Sequence, residues 1–183
     1  MPIGGQALVR RTRFESASCP IARTLDTVGD WWSLLIVRDA FDGASRFSQF
    51  QKSLAVSKGI LTVRLRELVA RGVLRTTPAS DGSAYEEYVL TESGRALFPV
   101  LVALRQWGED HCFGPDEPHS VLIDNSTGQP IAPLQVRSAT GREVSFADTT
   151  VKKVIKTAVA KKPSHTRRRT RRLQAPNSRT QSH

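Results

Sequence analysis

The chain has 183 residues, with 27 Lys or Arg against 17 Asp or Glu and a formal net charge of +10 at neutral pH. That length suffices for one domain with extensions, and no run of about 18 apolar residues is present to span a membrane. Two cysteines, Cys19 and Cys112, are too few and too far apart for a disulfide scaffold or a metal cluster. With no secretory signal pattern at the N-terminus, the expected setting is a reducing cytoplasm.

The positive charge is concentrated in two places. Residues 152–183 hold eleven Lys or Arg and no acid, which leaves 16 basic residues against all 17 acids elsewhere. Between Ser45 and Arg75 stand seven more, Arg46, Lys52, Lys58, Arg64, Arg66, Arg71 and Arg75, opposed by Glu67 alone. A short segment charged in this way, beside a basic tail, points to a polyanionic partner.

Taken in chain order, residues 1–18 show no periodicity and read as a basic arm, with Arg10, Arg11 and Arg13 as phosphate contacts. Pro20 is suited to a first helical position, and Ile21, Leu25 and Val28 form an apolar stripe that stops at Gly29. Asp30 is placed to cap a second helix from Trp31 to about Phe41, closed by Gly43, with Trp32, Leu35, Ile36 and Ala40 at core spacing. A short third helix covers about Phe47–Leu54. The fourth runs from Ser57 to about Arg71: with Leu61 set at zero, Leu65 and Leu68 fall within about 40° at 100° per residue. Gly59, Thr62, Val63 and Arg66 lie on its far side, and Gly72 ends it.

Strands near Leu74–Pro78 and Tyr85–Leu90 flank a turn with Asp81-Gly82 at its centre. Thr91 then caps a long helix to about His111, in which Pro99 is expected to produce a kink. Leu97, Leu101, Leu104 and Trp107 form one stripe, and Phe98, Val102 and Ala103 widen it beyond a single packing face. Residues 113–151 alternate briefly at Val121–Ile123, Ile131–Val136 and Glu143–Phe146, which predicts a small β-hairpin extension. From Lys152 the chain is low in complexity and poor in large apolar residues, and it is expected to be disordered in isolation.

The fold class expected is therefore mainly α with a small β-wing: a winged helix-turn-helix over residues 19–112, preceded by an arm (1–18) and followed by a β extension (113–151) and a basic tail (152–183). Particular runs also resemble HxlR-type transcription regulators. Cys19-Pro20-Ile21-Ala22-Arg23 and Gly29-Asp30-Trp31-Trp32-Ser33-Leu34-Leu35-Ile36 are similar to the family's opening. Phe47-Ser48-Gln49-Phe50 and Leu61-Thr62-Val63-Arg64-Leu65-Arg66-Glu67-Leu68 resemble its helix-turn-helix. Tyr88 to Arg95, with Leu97-Phe98-Pro99-Val100-Leu101 after it, is similar to its last strand and dimer helix. Trp31 departs from the family's usual small or basic residue, and the tail lies outside the family domain.

The resemblance implies a homodimer that binds double-stranded DNA at a pseudo-palindromic operator, in the cytoplasm with the nucleoid, and it leaves room for a small-molecule effector. The DNA-contacting residues expected are Arg46, Ser57, Lys58, Gly59, Thr62, Val63, Arg64, Arg66, Arg75 and Ser83. Arg64 lies at the edge of the core face, where bracing the fold is the alternative to touching a phosphate. The dimer seam is expected to use Ile21, Leu25, Leu97, Phe98, Leu101, Val102, Leu104 and Trp107. The resemblance also implies a redox-sensing role for Cys19, ahead of Pro20 at a helix N-terminus that favours a thiolate, with an inert cap residue as the alternative.

No catalytic residue, metal ligand or cofactor is expected. His111, His119, His165 and His183 show no ligand spacing, and there is no phosphate-binding glycine loop, nucleophile elbow or paired-carboxylate arrangement. Two further classes would use the same residues differently. A module for structured RNA would keep its preference without the Thr62 and Arg66 side chains. An interaction adaptor would dimerise through residues 91–111 and retain no specific DNA.

Overall fold

Six helices and one two-stranded sheet follow one another in a computed structural model that describes residues 13–153. Of these, 13–150 belong to one unit and 151–153 begin a second, so the tail beyond 153 and the arm before 13 lie outside the described residues. The elements are α1 (Pro20–Val28), α2 (Trp31–Phe41), α3 (Phe47–Leu54), α4 (Lys58–Ala70), β1 (Leu74–Pro78), β2 (Glu86–Leu90), α5 (Glu92–Arg95) and α6 (Phe98–His111).

The local signals act as the residue types dictate. Pro20 opens α1, and Gly29 closes it where a Cβ would lie 2.3 Å from Leu25 O, so the corner into α2 admits only glycine. Asp30 Oδ1 accepts from the Trp32 and Ser33 amides at 3.1 and 3.3 Å and starts α2. Gln49 Oε1 reaches back to the Ser45 and Arg46 amides, both at 2.8 Å, and starts α3. Ala55 ends α3 in the left-handed region (φ 49°), which makes the turn sharp enough for α4 to cross α3.

The core forms where these helices meet. Ile36 and Val37 from α2, Phe50 from α3, Leu61, Leu65 and Leu68 from α4, and Leu74 from β1 are buried together. Val56 in the turn is buried as well. Fully burying a side chain of this size stabilises by about 1.5–3 kcal/mol, so the inner face of α4 anchors the motif. β1 and β2 pair antiparallel in the register Leu74↔Leu90, Thr76↔Tyr88, Pro78↔Glu86. The Tyr88 amide donates to Ser45 O at 2.7 Å and joins the sheet to the entry of α3.

Two expectations change. The single kinked helix from Thr91 to His111 is two helices, α5 and α6, separated at Ala96–Leu97. Pro99 sits in the first turn of α6, where its missing N–H costs nothing, instead of within a continuous helix whose ladder it would interrupt. Gly94 permits the close approach of α5 to the residue that precedes β1, since a Cβ there would lie 2.2 Å from Val73 O.

Residues 113–150 hold no paired strands; two isolated antiparallel bridges, Ile123↔Pro130 and Arg137↔Glu143, stand where a β-hairpin was expected. Pro130 and Pro133 have no amide hydrogen to donate, which prevents a ladder from growing along 129–136. Two turns are present in this segment, closed by Gly128 N to Asp124 O at 2.7 Å and Gly141 N to Ser138 O at 2.9 Å. The segment is tied to α6 by side chains. Gln106 donates to Ala132 O (3.1 Å) and accepts from Leu134 N (2.7 Å), and Arg105 donates to Ser120 O (2.7 Å).

Candidate nucleic-acid interface

Ser57 caps α4, its hydroxyl oxygen accepting from the Ile60 amide at 3.4 Å. With Leu61, Leu65 and Leu68 turned inward, helical geometry places Lys58, Gly59, Thr62, Val63 and Arg66 outward, and all five are exposed. Thr62 Oγ1 donates to Lys58 O at 2.8 Å, leaving its methyl and oxygen lone pairs on the outer surface. Among the described residues nothing lies within 4 Å of a Cβ built on Gly59, so the bare backbone there faces outward. Ile60 and Lys52 are exposed beside this face and were missing from the residues expected to contact DNA. At 100° per residue Ile60 falls about 100° from Leu61, off the core side, a signal its apolar character masks.

The seven basic residues of this region separate into two groups. Arg46, Arg64 and Arg71 are engaged by carboxylates, whereas Lys52, Lys58, Arg66 and Arg75 are exposed and make no ion pair among the described residues. Arg64 bridges Asp30 Oδ2 (3.1 Å) and Glu67 Oε2 (2.7 Å), so its guanidinium braces the fold instead of pointing into a groove. Arg46 bonds Asp81 Oδ2 at 2.6 Å and Glu87 Oε1 at 3.4 Å, which ties the start of α3 to the wing. Arg71 reaches the buried Asp26 at 3.4 Å. Neither Arg46 nor Arg64 is therefore the free phosphate contact that composition suggested.

The wing tip is shaped by the same contacts. The hydrogen bond from Arg46, and then that from the Ser83 amide, hold the Asp81 carboxyl well below the usual carboxylate range. Ser83 folds back to place its amide on Asp81 Oδ1 at 3.0 Å, which turns it away from the outward role expected of it. Arg75 remains exposed on β1. Between α3 and the wing lies a groove of about 650 Å³, lined in part by Arg46, Ser48 and Tyr85, and the Tyr85 ring is 73% exposed at its edge. Sequence reasoning passed over Tyr85 as one more strand residue.

The expected dimer residues also divide. Val102 is buried within the protomer, and Leu97 and Leu101 pack half-buried against its core, so these three help hold α6 to the fold. Ile21, Leu25, Phe98, Leu104 and Trp107 are exposed, Ile21 to 70% and Trp107 to 59%. Cys19 is exposed at the N-cap of α1 and its side chain makes no capping hydrogen bond. Arg23, one turn along α1, donates to Ala17 O at 2.6 Å. Among the described residues no group of three or more His, Cys, Asp or Glu side chains is placed to hold a metal ion. No described helix is long and apolar enough to cross a membrane.

Four helices, a sharp turn before an outward basic helix and a two-stranded wing define a winged helix-turn-helix of the kind found in transcription regulators. Residues 27–115 match the HxlR-like helix-turn-helix family. The chain is 37% identical over 138 residues to an uncharacterized HTH-type transcriptional regulator, MT3179, of Mycobacterium tuberculosis (strain CDC 1551 / Oshkosh), covering 75% of this chain and 86% of that one. The crystal structure of PA1607, assigned as a transcription factor, is 55% identical with a TM-score of 0.74, over 78% of this chain and all of that one. PA1374 from Pseudomonas aeruginosa is 38% identical with a TM-score of 0.52, over 74% of this chain and 92% of that one. The chain belongs to the HxlR-like helix-turn-helix family of transcriptional regulators. Its likeness to PA1607 spans more of the chain than the family domain does, so it takes in residues beyond the winged helix.

Proposed function

We propose that the protein is a homodimeric, sequence-specific DNA-binding transcriptional regulator in which α4 enters the major groove. The observation that carries this reading is the sorting of cations. The arginines behind α4 are neutralised by Asp26, Asp30 and Glu67, while Lys58 and Arg66 make no ion pair among the described residues and stand on the outward face with Thr62, Val63 and Gly59. Lys58 and Arg66 suit phosphate oxygens or a guanine edge, Val63 suits a thymine methyl, and the Ser57-capped N-terminus suits a phosphate. Lys52 and Arg75 add sequence-independent attraction on either side.

The exposed apolar set on α1 and α6, Ile21, Leu25, Phe98, Leu104 and Trp107, supports pairing with a second copy. Two α4 helices would then address half-sites about one helical turn, roughly 34 Å, apart on a pseudo-palindromic operator. A thiol-reactive signal would act at Cys19, whose exposed side chain begins α1 beside that seam. The tail from Lys152 would add salt-dependent affinity without sequence preference.

Selection of bound fragments from random duplex DNA tests the reading. The wild type should enrich a two-fold symmetric motif, and Thr62→Ala/Arg66→Ala should lose it while keeping weak general affinity. Sedimentation should give a dimer that Trp107→Glu/Leu104→Glu converts to monomer. Mild diamide should release DNA from the wild type and not from Cys19→Ser; an oxidised wild type that binds unchanged removes the thiol role alone. Enrichment of no motif by the wild type would reject sequence reading.

A further inference from the structure

Asp30 does two things with its two oxygens. Oδ1 accepts from the Trp32 and Ser33 amides and begins α2, while Oδ2 holds Arg64 Nη2 on α4 at 3.1 Å. Both side chains are largely shielded, at 18% exposure for Asp30 and 23% for Arg64. Arg64 Nε is buried with no acceptor among the described residues, so the guanidinium is positioned by carboxylates at its other two nitrogens. Seven residues further along α4, Arg71 reaches Asp26 of α1 at 3.4 Å, with Asp26 almost wholly buried.

The two ties come from either side of one tight corner. Asp26 and Asp30 flank Gly29, where the Gly29 amide donates to Leu25 O at 2.9 Å and a Cβ would collide with that same carbonyl. That bond closes the last turn of α1, and only Gly29 and Asp30 lie between α1 and α2, so the two helices meet over a very short link. The gripped residues, Arg64 within α4 and Arg71 at its C-cap, are two turns or about 10 Å apart. Two separated ties on one rod determine its angle as well as its position, which a single contact cannot do. The leucines beneath α4 resist its removal but tolerate small rotations, because dispersion contacts are non-directional.

We propose that Asp30, together with Asp26, is a specificity-determining positioning residue: the α1–α2 corner grips the back of α4 through Arg64 and Arg71 and sets the angle at which its outer face meets base edges. The inference rests on the reading of α4 as the DNA-contacting helix and assigns a role to residues that touch no DNA. It also gives exposed Trp31, next to Asp30, and the α1 surface a mechanical route to the reading face.

Asp30→Asn is the informative variant, because Asn keeps an oxygen for the Trp32 and Ser33 amides and removes the charge that holds Arg64. Affinity is measured for the selected duplex and for a scrambled one, with thermal melting followed by circular dichroism. Asp30→Asn and Asp26→Asn should each lower the ratio of selected to scrambled affinity roughly tenfold, the scale of one lost base contact, with scrambled affinity within about twofold of wild type. Arg64→Gln should reproduce the Asp30→Asn loss, and the double variant should lose no more than either single one. This pattern read from Arg64→Gln and Asp26→Asn stands even if Asp30→Asn melts early. A selective wild type whose variants melt lower yet keep the full ratio overturns the proposal. A wild type that selects no sequence overturns instead the assignment of α4 as the reading helix.

Discussion

Arg64 and Arg66 stand two residues apart on α4 and meet opposite fates. Arg64 is held between Asp30 and Glu67, whereas Arg66 is exposed and makes no ion pair among the described residues. A helix turns about 100° per residue, so the two side chains leave the backbone about 200° apart, one over the α2 corner and one over open surface. The comparison shows that local charge overstates what is available to a partner. Seven basic residues between Ser45 and Arg75 reduce to four once carboxylates from α1, α2, α4 and the wing have taken their share.

Several substitutions can break or sharpen that contrast. The largest effect should come from the inward face: Leu65→Ala removes a side chain only 1% exposed and should lower stability by about 2–5 kcal/mol in urea denaturation. Stability close to wild type would mean that α4 is not anchored as described. Next comes the outward face. Arg66→Ala should weaken operator binding by about 1–3 kcal/mol, or flatten the logarithmic salt dependence by about 0.9 if its partner is a phosphate, with little change in melting. Arg64→Ala should do the reverse, lowering stability and leaving the salt slope unaltered. Equal slopes lost in both variants would erase the distinction between the two faces.

Gly59→Ala separates stability from binding. It should add up to about 1 kcal/mol of helix stability, since nothing among the described residues obstructs a methyl there, while reducing DNA affinity if the backbone lies against the duplex. Gains in both quantities would place Gly59 outside the interface. The smallest effect concerns the wing. Because the folded Asp81 carboxyl titrates below its ordinary value, the contribution of its Arg46 contact is present at neutral pH and is lost only as pH falls through that lowered value. In Arg46→Ala, the Asp81 titration followed by carboxylate NMR should move back up toward the usual range. A midpoint that stays low would credit Ser83 instead of Arg46.

Much of this molecule is readable along the chain because the signals are local. Asp30 and Ser57 cap helices with their own neighbours, Gly29 and Gly72 end them, and the three leucines of α4 recur at helical spacing whatever lies opposite. From these alone follow the order of elements, the inward side of α4 and the Asp-Gly wing turn, and hence the winged helix-turn-helix class. Tertiary structure decided the rest, because each remaining question concerns a partner distant in sequence. Whether Arg46 meets a phosphate or Asp81, whether Val102 belongs to the core or the seam, and whether Pro99 bends or begins a helix depend on what packs alongside. Asp26 and Arg71 are 45 residues apart in the chain and in contact in the fold. A charge or a methyl group carries no label for its partner, and only closing the chain on itself assigns one.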